Sequence, residues 1–226
     1  VNVNPLYTPA EIDYVIQNSE PKIIVVLDMF SAKLNGLLGK YGVEHIVVSK
    51  ISDPYPFAKR ALINFVLRYI SKVNPKLSYA ATSWRDLVHN SQHLTDKVTV
   101  KAYDLAFIQY SGATTGHPKG AMLSHRNLVS NIRQVMGMIK PQMVPLDKQV
   151  VICALPLYHI FSLNANLMTF FFSGSENVMI PNARNIKDVV KTMNKTPFTI
   201  FNSLDSLYHK LLEQKEFINT PHPQYK

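Results

Sequence analysis

Apolar positions along this chain follow two periods that take turns. Short β-branched runs at Ile23–Leu27 and His45–Val48 have strand character, and a stretch of helical spacing precedes each, Glu11–Asn18 and Ala32–Lys40. The series continues with strand-like Leu105–Gln109, Val150–Ala154, Val178–Ile180 and Phe198–Phe201, interleaved with helix-like Asn127–Ile139 and Ile186–Asn194. Pro141, Pro145, Pro181 and Pro197 fall at element boundaries, where a fixed φ and a missing N–H do least harm. Helix and strand in alternation predict an α/β fold with a mostly parallel sheet and flanking helices. No internal repeat or low-complexity segment interrupts the pattern, and Thr220–Lys226 reads as an irregular, frayed tail.

One segment departs from the alternation. Between Phe57 and Lys76, Leu62, Phe65, Val66, Tyr69, Ile70 and Val73 follow helical spacing, while Lys59, Arg60, Arg68, Lys72 and Lys76 fall largely on the other side. A basic amphipathic helix of this kind has two readings. It is a surface helix packing its apolar stripe on the domain, or it meets an anionic membrane surface. The first is the ordinary fate of such helices and is the expectation here.

Composition narrows the partners. The chain has 226 residues, enough for one large domain or two small ones, and 46% of them are hydrophobic. Lysine and arginine number 24 against 15 acidic residues, a formal net charge of +9 that favours encounters with nucleotides and acidic surfaces. Nucleic acid is not indicated: the charges are dispersed, no helix-turn-helix or zinc-finger spacing occurs, and the aromatics sit in apolar runs. The single Cys153 excludes an internal disulfide and a cysteine-cluster metal site, which suits the reducing cytoplasm, and it reads as a small buried residue at a strand end. The chain opens at Val1 on an apolar, turn-punctuated segment with no charged n-region, long apolar run or cleavage site, so no targeting signal is visible. The pattern leaves the oligomeric state unknown.

Candidate chemistry is concentrated in Tyr110-Ser-Gly-Ala-Thr-Thr-Gly-His-Pro-Lys-Gly120, directly after the strand-like Leu105–Gln109. Small side chains at Gly112, Ala113 and Gly116 let backbone N–H groups approach anionic oxygens. Ser111, Thr114 and Thr115 add hydroxyl donors, and Lys119 supplies a point charge that can follow a terminal phosphate. Beyond Gly120 the apolar pattern resumes, with Ser124 placed to cap a helix. The Walker A register fails, because Lys119 is followed by Gly120 and only His117 and Pro118 separate it from Gly116. On composition alone, a plain strand-to-helix turn accounts for these residues equally well.

These eleven residues resemble the phosphate-binding signature of adenylate-forming enzymes, the superfamily of acyl-CoA synthetases, luciferases and peptide-synthetase adenylation domains. Ala154-Leu-Pro-Leu-Tyr-His-Ile-Phe-Ser-Leu163 resembles the acyl-site segment of bacterial long-chain fatty acid–CoA ligases, and Val1-Asn-Val-Asn-Pro-Leu-Tyr-Thr-Pro9 resembles a segment upstream in the same enzymes. The blocks occur in the family's order. The resemblance covers the chain to about Lys215 and identifies it as an internal piece of the large N-terminal domain, residues 1–226, with the C-terminal domain absent.

What the resemblance implies is a ligase of fatty acid metabolism using ATP, Mg²⁺ and coenzyme A. The fatty acid carboxylate attacks the α-phosphorus of ATP, expelling pyrophosphate, and the coenzyme A thiolate then displaces AMP to form the thioester. Thr114, Thr115, Gly116 and Lys119 would cradle the β- and γ-phosphates, with Tyr110, Ser111, Gly112, Ala113 and Gly120 completing the nucleotide site and Thr114 nearest Mg²⁺. His159 would lie near the fatty acid carboxylate, with Tyr158, Phe161 and Ser203 lining the acyl pocket. The role of His159 would be orienting and electrostatic, since a carboxylate is already ionised near neutral pH. A lone histidine beside an apolar run otherwise reads as a packed residue, and Phe170, Phe171 and Phe172 read as core or pocket wall. The protein is expected to be cytoplasmic, or peripheral on the inner face of the membrane.

The sequence also departs from the family. Ala113 stands where the signature has glycine, and if that position needs φ > 0 the methyl costs about 1 kcal/mol. Ser203 replaces a glycine bordering the acyl channel and Asp205 a neutral residue, implying a narrower, more polar pocket floor. No stretch resembles the family's adenine and Mg²⁺ segment, its Thr-Gly-Asp motif or its catalytic lysine. The isolated chain is therefore expected to be inactive. The alternatives are a non-catalytic remnant keeping the fold and weak nucleotide or lipid binding, or another subgroup such as an aryl-CoA ligase or fatty acyl-AMP ligase.

Overall fold

The first helix is set by its own first turn. In the computed structural model, which describes residues 1–72, 75–90, 97–111, 118–139, 145 and 149–220, Thr8 caps helix α1 (Pro9–Ser19). The Thr8 Oγ1 accepts the Glu11 N–H, and the Glu11 carboxylate accepts the Thr8 N–H at 2.7 Å, a reciprocal capping box. Pro9 fills a first-turn position whose N–H would lack an intrahelical partner in any case.

Contacts divide the chain into two compact units. One comprises Val1, Val3–Val100 and Tyr110–Gly120, the other Asn2, Lys101–Gln109 and Ala121–Lys226. In the first, β1 (Ile23–Leu27), β2 (His45–Ser49) and β3 (Thr82–Ser83) form a parallel sheet in that order, with Ile23 opposite His45 and Val47 opposite Thr82. Helix α2 is Asp28–Ser31, α3 is Phe57–Phe65 and α4 is Trp84–His89. The core joins Ile12 and Ile16 of α1 to Leu34, Leu37, Val43 and Ile46. Lys33 Nζ donates to the carbonyls of Pro5 and Tyr7 at 2.7 and 2.8 Å, holding the segment before α1.

The helix expected over Ala32–Lys40 does not form. After α2 comes a single tight turn, Ala32–Leu34, and then Gly36 at φ 82°, a left-handed conformation that a helix cannot continue through.

The basic helix is shorter than expected and faces the other way. It continues from α3 as a π-helical stretch, Val66–Ile70, and ends where Lys72 takes φ 53°. The side meeting the rest of this unit is the half-buried row Arg60, Ile63, Asn64 and Leu67, with Ser52 donating to Asn64 Oδ1 at 2.6 Å. The apolar stripe is not packed: Leu62, Phe65, Tyr69 and Ile70 are 63%, 56%, 63% and 68% exposed. Val73 lies outside the described residues.

The second unit holds most of β4 (Leu105–Tyr110) and β5 (Gly120–Ser124), which pair, followed by α5 (His125–Ile139). Ser124 caps α5 as expected, its Oγ accepting the Asn127 N–H at 3.2 Å while the Ser124 N–H donates to Asn127 Oδ1. A parallel sheet then runs in the order β7 (Glu176–Met179), β6 (Val150–Cys153), β8 (Ile200–Phe201). Helices α6 (Thr169–Phe172), α7 (Ile186–Lys195), α8 (Asp205–Leu212) and α9 (Lys215–Ile218) accompany it. Successive β6 residues point to opposite faces: Val151 packs with Phe170 and Ile200, and Ile152 with Val189, Val190, Met193, Phe198 and Leu211. Cover on both faces is why β6 is an unbroken apolar run.

Two strands differ from expectation: β7 starts two residues and ends one residue earlier, and β8 is shortened to Ile200–Phe201, with Phe198 a fully buried core residue before it. Phe170 is in the core, but Phe171 and Phe172 are 79% and 63% exposed, because consecutive helical residues point about 100° apart and cannot all face one core. Cys153 is buried at the end of β6 as expected, its Sγ 3.5 Å from Ser162 Oγ. Among the described residues, no helix is long and apolar enough to cross a membrane.

Candidate functional site

The ends of the phosphate-type loop are tied together. At the end of β4 the Ser111 N–H donates to the carbonyl of Lys119 at 3.0 Å, one residue before β5 begins at Gly120. Lys119 and Ser111 are both exposed. Gly112, Ala113, Thr114, Thr115, Gly116 and His117 lie outside the described residues. Tyr110 turns inward instead: it is buried, and its hydroxyl donates to Asn18 Oδ1 at 2.6 Å. Burial raises its phenol pKa above the usual tyrosine value, so the hydroxyl keeps the proton it donates.

The segment resembling an acyl site follows β6. A turn closes with the His159 N–H donating to the Pro156 carbonyl at 3.1 Å, and the π-helical stretch Phe161–Met168 starts beyond it. Ser162 Oγ donates to the Leu155 carbonyl at 2.7 Å, pinning the start of that stretch to the strand end. His159 is exposed, with the Tyr158 ring 4.6 Å from its own, centroid to centroid, and Phe161 is 47% exposed. His159 and Phe161 are thus at the surface with Tyr158 half-buried beside them, and His159 is not packed in the core. Ser203 is half-buried, and its Oγ is buried with no hydrogen-bond partner among the described residues.

Three residues not singled out by the sequence join this region. Gln109, at 9% exposure, donates from Nε2 to the Tyr158 carbonyl at 2.8 Å. Asn164 donates to Asn131 Oδ1, and Asn166, fully buried, donates to the Asn202 carbonyl at 3.5 Å, next to Ser203. The Oδ1 atoms of both asparagines are buried without donors among the described residues. The available signal was their place in Phe161-Ser-Leu-Asn-Ala-Asn-Leu-Met168, where amides in an apolar helical run need a reason.

Comparison with known proteins decides the family. The family model of the AMP-binding enzyme matches residues 1–225. The chain belongs to this family. Its fold is accordingly the α/β fold of adenylate-forming enzymes. It is 41% identical over 219 residues to the long-chain-fatty-acid–CoA ligase of Escherichia coli O157:H7, covering 96% of this chain and 39% of that protein. The chain thus spans 39% of the length of this curated relative. Among solved structures, the anthranilate CoA ligase AuaEII in complex with anthranoyl-AMP matches with a TM-score of 0.76 at 20% identity, over 99% of this chain and 38% of that one. ATP-bound MatB from Rhodopseudomonas palustris matches with 0.69 at 24% identity, over 95% and 36%. At these identities the two structures speak for the fold alone.

Proposed function

We propose that this member of the AMP-binding family takes part in the ATP-dependent activation of a long-chain fatty acid and its transfer to coenzyme A, with both units belonging to one large N-terminal domain. The observation that carries the reading is the Ser111 to Lys119 hydrogen bond, which brings the two ends of the signature together and leaves an exposed ammonium beside the end of β4. The substrate class is supported by the relative named for long-chain fatty acids and by the exposed His159 and Phe161 side chains.

In this reading Thr114, Thr115, Gly116 and Lys119 hold the β- and γ-phosphates, Ser111 helps complete the nucleotide site, and His159 orients the carboxylate that attacks the α-phosphorus. Tyr110 serves by fixing the residue before Ser111 through its hydrogen bond to Asn18. Among the described residues no three His, Cys, Asp or Glu side chains cluster as a metal cage. Mg²⁺ does not require one, since it keeps several waters and phosphate oxygens and takes only one or two protein ligands, here Thr114. Tyr158, Phe161 and Ser203 border the acyl chain. The exposed stripe of Leu62, Phe65, Tyr69 and Ile70, with Lys59 and Arg68 flanking it by helical spacing, supports peripheral attachment to the inner face of an anionic membrane, where such an acid dissolves.

Calorimetric titration with pyrophosphate and with Mg-ATP at low and moderate salt tests the nucleotide half. Salt-sensitive binding that falls at least tenfold in Lys119→Ala is expected, because a charge-assisted contact contributes about 1.5–3 kcal/mol. Equal binding by the two proteins would overturn the assignment.

A further inference from the structure

A cleft of about 280 Å³ lies in the first unit at the carboxyl ends of β2 and β3, away in sequence from the phosphate-type loop. Lys50, Arg60 and Arg85 line it together with Thr82, Ser83 and one carboxylate, Asp53. That carboxylate is turned to its own turn: Asp53 Oδ2 accepts the Lys50 N–H at 2.7 Å and the Ser49 hydroxyl at 3.3 Å. Among the described residues, Arg85 reaches only the Asp53 main-chain carbonyl, at 3.4 Å. Among the described residues, none of the three cations forms an ion pair. Arg60 Nη1 is buried and has no acceptor there, while the guanidinium sits 5.6 Å from the Phe57 ring centroid.

A buried guanidinium N–H without an acceptor is costly, and three cations converging on one cleft repel each other unless an anion enters. The carboxyl ends of parallel strands are also where open α/β sheets take ligands. Ser83 Oγ accepts the Asp86 N–H at 3.4 Å, which leaves its hydroxyl proton free to be donated into the cleft. We infer that the cleft formed by Lys50, Arg60, Arg85 and Ser83 binds a phosphate-type anion at a site separate from the nucleotide loop. Guanidinium forks match phosphate oxygens, and a dianion balances three cations against one carboxylate. Because Arg60 stands on the helix whose apolar stripe is exposed, the phosphate is either free or the headgroup of a lipid.

The test uses the full chain carrying Lys119→Ala, so that the nucleotide loop is weakened at least tenfold and its failure is read separately; what remains of it is unaffected by the cleft variants. Inorganic phosphate and dihexanoyl phosphatidic acid below its micelle concentration are titrated and followed by phosphorus NMR. Saturable binding is expected, at least tenfold weaker in Arg60→Gln and weakened in Lys50→Gln, whose exposed side chain leaves the fold intact; far-UV circular dichroism checks each variant. Tighter binding of phosphatidic acid assigns the headgroup, and equal binding assigns free phosphate. No binding of either probe, or binding unchanged in Lys50→Gln, overturns the inference.

Discussion

Gln109 Nε2 donates to the main-chain carbonyl of Tyr158 at 2.8 Å across 49 positions of sequence, tying β4 to the turn that displays His159. Because Gln109 is buried, Gln109→Leu leaves that carbonyl without its donor. The expected loss of stability is about 1–3 kcal/mol, read from the urea midpoint. A variant as stable as the parent would show that the bond contributes nothing to holding the segment.

Ala113 is the position to change towards the family. If the loop needs a left-handed residue there, Ala113→Gly relieves about 1 kcal/mol of strain on binding and tightens pyrophosphate about fivefold by calorimetry. Unchanged affinity would mean that the position is satisfied with negative φ.

Asp13 and Lys40 form an ion pair at 2.8 Å, with Tyr41 also donating to Asp13. The Lys40 hydrogen bond holds the Asp13 carboxyl below its ordinary value, and the same bond raises the Lys40 ammonium above its own. A depressed carboxylate stabilises the fold above its unfolded pKa and loses that contribution as pH falls through the folded value. A raised lysine contributes below its unfolded pKa and loses it as pH rises through the folded one. Asp13→Asn is therefore expected to melt slightly lower than the parent at neutral pH, with the gap closing at both the acid and the alkaline end. A gap constant across pH would remove the pair as its cause.

The exposed stripe on the basic helix gives a lipid prediction. The protein should sediment with anionic vesicles more than with neutral ones, less so as salt rises. Replacing Lys59, Arg68 and Lys72 with Gln should erase the preference. Indifference to vesicle charge in the parent protein would end the membrane reading.

Local rules were legible wherever a few neighbouring residues decide the outcome. Helical spacing found α1 from Glu11, two residues inside its Thr8-capped start at Pro9, Ser124 marked the start of α5, and the β-branched runs marked β1, β2 and β6. The loop motif and the Ala154–Leu163 block carried the family, because identity at fixed spacing needs no coordinates. The inner part of the loop, on which most of the expected phosphate contacts fall, lies outside the described residues.

The sequence by itself determined the alternation of elements, the α/β class and the family. Tertiary structure alone decided which way each face turns. Periodicity shows that the Phe57 helix has an apolar and a basic side, yet the docked row is Arg60, Ile63, Asn64 and Leu67, where Ser52 supplies a hydrogen bond to Asn64. It also shows three adjacent phenylalanines without saying that only Phe170 meets the core. Tyr110 reaches Asn18 of α1 across 92 positions, and Lys50 after β2 meets Arg60 of α3 and Arg85 of α4 in one cleft, because helices and strands distant in sequence pack side by side. Such meetings depend on long-range packing, which no local pattern of residues encodes.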